Sequence, residues 1–218
     1  FQIFAPSTRG VNNSIAFRPD NPLVADIRVR RALLHATNAA EVVSTLFSAN
    51  YPQATSVIAS TAQGYVNIAD RLIFDPTLSA RLLDEAGWTL GANGVRAKDG
   101  QELALTAYES PPQPRNKDTL QLVAQQWARL GVRLNVLAGD LGSRTVDSLD
   151  PSKTPVAPAM VGRADPDVIR SNYYPTTRNV LLQTGGVSQR VQGFRDAELN
   201  AILEAIAAET DPAKRLAL

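Results

Sequence analysis

The 218 residues include 44% apolar and 20% charged side chains and no cysteine. A single domain of that size buries roughly 70% of its unfolded surface, so neither a metal nor a disulfide is required to hold it together. Twenty-two basic residues against 21 acidic ones leave a formal charge of +1, which excludes the strong field expected of a nucleic-acid binder. No run of about 18 apolar residues is present to span a bilayer.

Ser14–Arg18 alternates and runs into Pro19-Asp-Asn-Pro22, the pattern of a strand entering a turn. Asp26 then caps a helix whose apolar stripe is Val29, Leu33, Leu34 and Ala36, with Arg28, Arg30 and Arg31 on its outer face. Asn38 caps a second short helix, 39–47. The stretch 49–70, rich in Ser, Thr, Gly, Pro and Tyr, follows neither period and reads as a long surface loop, a kind of segment that often carries function.

Asp75-Pro76 places proline at the first helical position behind an Asp cap. Leu78, Ala80, Leu82, Leu83 and Ala86 form the stripe, and Gly87 ends it. Two turns, Gly91–Gly94 and Lys98–Gly100, flank a short strand at 95–97, and 103–108 alternates as the next strand. Beyond the extended Pro111–Pro114 segment, Asn116 or Asp118 caps a helix running through Leu120, Val123, Trp127 and Leu130 to Gly131, and 132–137 alternates again. Strand, helix and strand in this order predict an α/β domain with helices packed on a sheet. Further on, the pattern gives a short helix near 143–149, a strand near 155–161, an irregular stretch to Gly193 and a helix 197–208. No linker or repeat divides the chain, so residues 1–218 read as one domain. The start at Phe1 and the helix-like 213–218 read as an excised piece, any targeting segment lying upstream.

Catalytic motifs are missing. The sole histidine, His35, sits among apolar neighbours and reads as a core or interface residue. There is no Gly-x-Ser-x-Gly elbow. Without cysteine or a second histidine, a transition-metal site would rest on carboxylates alone. Gly91–Gly94 is too short for a phosphate loop. Asp84 and Glu85 read as a solvated pair, and Asp165 and Asp167 flank Pro166 at a turn.

Several segments carry a family resemblance. Asn21-Pro-Leu-Val-Ala-Asp26-Ile-Arg-Val-Arg30-Arg-Ala-Leu33 resembles the P-x-x-D-x-R-V-R-x-A-L segment of the extracellular solute-binding proteins of family 5, the peptide, oligopeptide and nickel receptors of ABC transporters. Phe74-Asp-Pro76 with Ala80–Trp88 is similar to that family's Y-D-P-x-x-A-x-x-L-L-x-E-A-G-W, and Gln125-Gln-Trp127-Ala-Arg-Leu-Gly131-Val-Arg-Leu134 is similar to its L-x-x-x-G-I-x-V helix and strand. Asp165-Pro166 resembles its Asp-Pro turn, and Asp211–Arg215 its D-x-x-x-R.

The resemblance implies the C-terminal lobe of a larger two-lobed receptor, α/β, a type II periplasmic-binding-protein-like fold with a mixed sheet flanked by helices. It implies a protein that is not an enzyme and has no cofactor and no catalytic or metal residue, and a monomer that captures a peptide or other small solute and passes it to an ABC permease in the membrane. Its expected location is periplasmic or extracellular, with a lipid anchor available only through an upstream segment. The rival from another class is an α/β enzyme domain whose catalytic partner lies outside the chain.

Peptide-binding members commonly hold the ligand amine with an aspartate three residues before the Asp of the Asp-Pro turn, and here that position is Gly162. Losing that charge-assisted hydrogen bond removes about 1.5–3 kcal/mol, whereas the adjacent Arg163 suits an anionic or carboxylate-bearing ligand. The expected ligand-binding residues are thus Gly162, Arg163 and Asp165, with Tyr108, Ser110, Tyr173 and Tyr174 as further candidates.

Overall fold

The computed structural model describes residues 12–48, 50–110, 113, 115–138, 147, 150, 152–161, 169–170 and 196–218. The first strand, β1 (Asn12–Phe17), leads through the Pro19–Pro22 turn to helix α1 (Ile27–His35). Asp26 caps α1 as its sequence position implies, accepting a hydrogen bond from Arg28 N at 2.8 Å. Val29, Ala32 and Leu33 are buried, but Leu34 is 37% exposed and leaves the core stripe. Arg30 is also not wholly outward: its guanidinium donates to the carbonyls of Val24 and Ala25 at 2.8 and 2.7 Å, which ties the helix to the turn before it.

Helix α2 (Ala39–Leu46) starts at the Asn38 cap. Of the loop expected at 49–70, residues 50–68 are without regular structure and a single 3-10 turn, Ala69–Arg71, ends it; Ile58, Ala59 and Ala62 are buried there. Helix α3 (Pro76–Glu85) starts where Asp75 Oδ1 accepts from Leu78 N at 2.9 Å and ends at Gly87, whose φ of 87° is left-handed. It packs on α1. His35 locks that contact: its backbone carbonyl accepts from Asp75 N at 2.8 Å and its Nδ1 lies 2.9 Å from the Ile73 carbonyl. The buried histidine is scaffold.

Three short strands follow as an antiparallel meander, β2 (Thr89–Leu90), β3 (Arg96–Lys98) and β4 (Gln101–Glu102). The flanking turns place only the middle one, at 95–97, one residue before its observed span, because two-residue strands have no period to show. Asp84 is not simply solvated: it accepts from Arg96, whose side chain is only 7% exposed and also donates to the Leu130 and Trp88 carbonyls. That guanidinium joins the end of α3, β3 and the turn before the last parallel strand.

Strand β5 (Ala104–Tyr108), helix α4 (Asn116–Ala128) and strand β6 (Arg133–Leu137) form the expected strand–helix–strand unit, with β5 and β6 parallel in the register Ala104↔Arg133 to Tyr108↔Leu137. Neither Asn116 nor Asp118 caps α4. The cap position is Arg115, at a φ of 53° with no side-chain cap bond; Asn116 instead bonds across the preceding turn, and Asp118 pairs with Arg115 at 3.0 Å. Strand β7 (Val156–Val161) is antiparallel to β1, from Asn12↔Val161 to Phe17↔Val156, and lies alongside β5. The strands among the described residues therefore hydrogen-bond in three small groups of mixed direction.

Trp127, Leu120 and Val123 of α4, Leu103 before β5, Leu105 within it and Leu33 of α1, all at most 1% exposed, form one buried cluster with Leu83 of α3. Helix α5 (Ala197–Ala208) matches its expected span, with Leu203 buried while Ile202 is exposed, and α6 (Pro212–Ala217) is capped by Asp211. Of the helix expected at 143–149 only Asp147 is described, in helical conformation, and of the irregular stretch to Gly193 only residues 169–170, which are helical rather than irregular; the rest of both lies outside the described residues. No helix among the described residues is long and apolar enough to cross a membrane.

Candidate ligand-binding face

Two features meet on one side of the sheet. The first is the carboxyl end of the parallel strands, the edge at which open α/β sheets present ligands. Tyr108 closes β5 there, and Glu109 N donates to the Leu137 carbonyl at 2.9 Å. The Tyr108 hydroxyl donates to Asp147 Oδ2 at 2.6 Å, and Lys153 Nζ donates to Asp147 Oδ1 at 2.8 Å. Those two donors, Lys153 first, hold the Asp147 carboxyl below its ordinary pKa. Tyr108 is thus fixed by a carboxylate.

Ser110 sits in the turn that follows. Its carbonyl accepts from Gln113 N at 2.9 Å and its N–H donates to Asn116 Oδ1 at 2.7 Å, while Asn116 Nδ2 donates to Gln113 Oε1 at 2.6 Å. Gln113 and Asn116 are buried polar side chains, 5% and 8% exposed. The Asn116 carboxamide bonds the turn through Oδ1 and Gln113 through Nδ2, which makes this loop a rigid support.

The second feature is a cavity of about 330 Å³. Asn12, Asn13 and Ser14 of β1 form one edge; Leu33, Leu34 and Thr37 come from the end of α1, and Val42, Val43 and Phe47 from α2. Tyr51 to Ala54 close it from the long loop, and Gln113, Asn116, Thr119, Val123 and Trp127 line the α4 side. Leu34 leaves the core stripe because it belongs to this wall. Two ring contacts build the apolar surfaces: Phe17 stacks on Trp127 with centroids 6.0 Å apart, and Phe47 meets Tyr51 at 5.3 Å.

Tyr108 and Ser110 are not in the wall; Asn116 joins them to it, holding the Ser110 N–H while lining the cavity. Gly162, Arg163, Asp165, Tyr173 and Tyr174 lie outside the described residues. Segment 162–167 does, however, begin directly after Val161, whose strand partner Asn12 is at the cavity edge. The cavity itself carries no sequence motif, since its residues come from four separated segments and the isolated Leu72. The one signal available was the irregular loop at 49–70; Leu34 reads from the sequence as part of the core stripe and only the structure moves it to the cavity wall. Among the described residues no three His, Asp or Glu side chains gather in a metal-binding arrangement.

The family model described as bacterial extracellular solute-binding proteins, family 5 Middle, matches residues 4–188. A Brucella ovis protein named as an ABC transporter peptide-binding protein is 28% identical over 221 residues, covering 94% of this chain and 37% of its own length. In structure, the chain superposes on NikA from Brucella suis, solved with Fe(III)-EDTA, at a TM-score of 0.77 and 23% identity. It superposes on the oligopeptide-binding protein AppA from Bacillus subtilis, solved with a nonapeptide, at 0.80 and 16% identity. Each superposition covers 95% of this chain and 41% of the other. The chain therefore spans about two fifths of the length of the proteins it resembles.

Proposed function

The chain belongs to family 5 of the bacterial extracellular solute-binding proteins, and we propose that it is the C-terminal lobe, a single domain, of a two-lobed receptor that captures a small solute and delivers it to an ABC permease. The observation that carries this reading is the end-to-end match of its fold to ligand-bound receptors more than twice its length. In such a receptor the solute is enclosed as the lobes close about a hinge, and no bond is made or broken. The working location is periplasmic or extracellular, and the receptor works as a monomer.

Within the lobe, the contact edge is the segment after β7 together with the end of β5. Gly162, Arg163 and Asp165 supply the turn that meets the solute, and Arg163 grips an anionic group with two parallel hydrogen bonds. Tyr108, Ser110, Tyr173 and Tyr174 border it. A peptide remains a candidate solute, held without the carboxylate that Gly162 lacks. Cells deleted for the intact receptor and supplied with radiolabelled di- to pentapeptides test the role: lost uptake that returns with the wild-type receptor supports it, and uptake unchanged for every peptide, with no other solute taken up differently, contradicts it.

A further inference from the structure

The cavity between β1, α2 and α4 has a property that the solute-binding reading does not require. Its described lining contains no Asp, Glu, Lys, Arg or His. We propose that it is a subsite for an uncharged, mainly apolar portion of the solute, such as a single aromatic or branched aliphatic group, and that it rejects a formal charge at that position; this rests on the importer-receptor reading above.

Three observations carry it. The volume of about 330 Å³ lies at the small end of ligand-site sizes. A cavity of about 150 Å³ already holds benzene, so there is room here for a ring and its substituent. The walls are the rings of Phe17, Phe47 and Trp127 and the branched side chains of Val42 and Val43, surfaces that gain from excluding water. The polar groups of the lining are neutral carboxamides and hydroxyls, several of them committed to the scaffold: Asn116 through both ends of its amide, Thr37 to the Leu33 carbonyl and the Trp127 indole, Asn12 to the Ser56 carbonyl and Ser14 to the Ala159 carbonyl. Gln113 accepts from Asn116 through Oε1. Asn13, Tyr51, Gln53 and Thr119 add neutral groups and no charge. An ionised group would give up its hydration without finding a counter-charge in the wall, a cost that is large in an apolar site.

The test uses the intact receptor carrying Arg163→Ala, so that no guanidinium at that position can hold an anion, with 5-fluorotryptophan incorporated and the Trp127 resonance assigned by its loss in Trp127→Phe. Benzyl alcohol, benzylammonium and benzoate are titrated as size-matched probes. The expected result is a saturable shift of the Trp127 signal with benzyl alcohol, at least about tenfold tighter than with either charged probe. Val43→Phe, which fills the space, is expected to abolish the shift. Gln113→Glu keeps the acceptor for Asn116 but adds a carboxylate, and is expected to bring benzylammonium ahead of benzyl alcohol. Equal or tighter binding of a charged probe to the Arg163→Ala receptor, or no shift with any probe, would overturn the subsite. The uptake assay reads the importer role separately, so either can fail alone.

Discussion

The indole Nε1 of Trp127 donates to the hydroxyl of Thr37 at 2.9 Å, linking the last turn of α4 to the end of α1. Trp127 is 1% exposed, so this N–H has no water to turn to. The Thr37 hydroxyl in turn donates to the Leu33 carbonyl at 2.8 Å, and both residues line the cavity. One hydroxyl therefore satisfies a buried donor and fixes the cavity wall.

Thr37→Val keeps the shape and removes the acceptor. Leaving a buried donor unpaired costs about 1–3 kcal/mol. A matching loss in chemical denaturation of the intact receptor is expected; a change below about 0.3 kcal/mol would show that the indole finds another partner.

Gly131 and Gly87 both end helices at positive φ, 79° and 87°. Their surroundings differ. A Cβ at Gly131 would stand 2.5 Å from Leu90 Cδ1 and 3.0 Å from the Gly94 carbonyl oxygen, whereas at Gly87 the nearest atom is Cε of the flexible Lys98 at 3.3 Å. Gly87→Ala should cost about 1 kcal/mol from backbone conformation alone, and Gly131→Ala clearly more, because a backbone oxygen cannot swing away. Thermal melts of the two variants compare them directly; equal losses would refute the packing argument.

Asp75→Ala removes the α3 cap and should cost about 1 kcal/mol while leaving solute preference unchanged, since α3 packs on α1 and none of its residues lines the cavity. A receptor of unchanged melting temperature with an altered solute profile would place α3 at the binding face instead.

Asp147 gives a pH dependence. Its folded pKa is depressed, first by the Lys153 hydrogen bond and then by that of Tyr108. Its contribution to stability is therefore complete above the ordinary carboxylate pKa and fades as pH falls through the folded value. Asp147→Asn should lower stability at neutral pH and make the acid limb of a stability–pH curve shallower. An identical limb in the variant would contradict the coupling.

These residues also mark how far the sequence could be read. Asp26, Asn38, Asp75 and Gly87 act through local chemistry, a side chain reaching its own helix end or a backbone needing positive φ, so the helices they bound were legible from composition alone. The cap of α4 was not. Asn116 has the right residue type for a cap, but the turn before it claims its carboxamide through Ser110 N and Gln113 Oε1, and only tertiary structure shows that competition. Arg96 likewise gave no signal, because its partners Asp84, Trp88 and Leu130 are brought together by the meander. Of the proposed contact residues, Tyr108 and Ser110 fall at the carboxyl end of a parallel strand, as the strand–helix–strand pattern implies. The cavity stayed hidden because no spacing rule connects residues 12–17, 33–43, 47–54 and 113–127.

Arg163→Ala in the intact receptor should weaken binding of its co-purifying solute about tenfold or more, the consequence of truncating one partner of a buried charge pair at about 2 kcal/mol or above. Affinity held within twofold would remove Arg163 from the site. Gly162→Asp places a carboxylate beside Arg163, and is expected to improve binding of free-amine peptides.

The central claim, that this lobe serves capture and release without chemistry, is tested most directly by mass spectrometry of the solute that co-purifies with the intact receptor, before and after prolonged incubation, alongside its binding stoichiometry by calorimetry. The expected result is one molecule per receptor, saturable binding and a solute of unchanged mass. A solute converted to a product of different mass by the receptor, and not by the Arg163→Ala variant, would contradict the account and return the lobe to the enzymes.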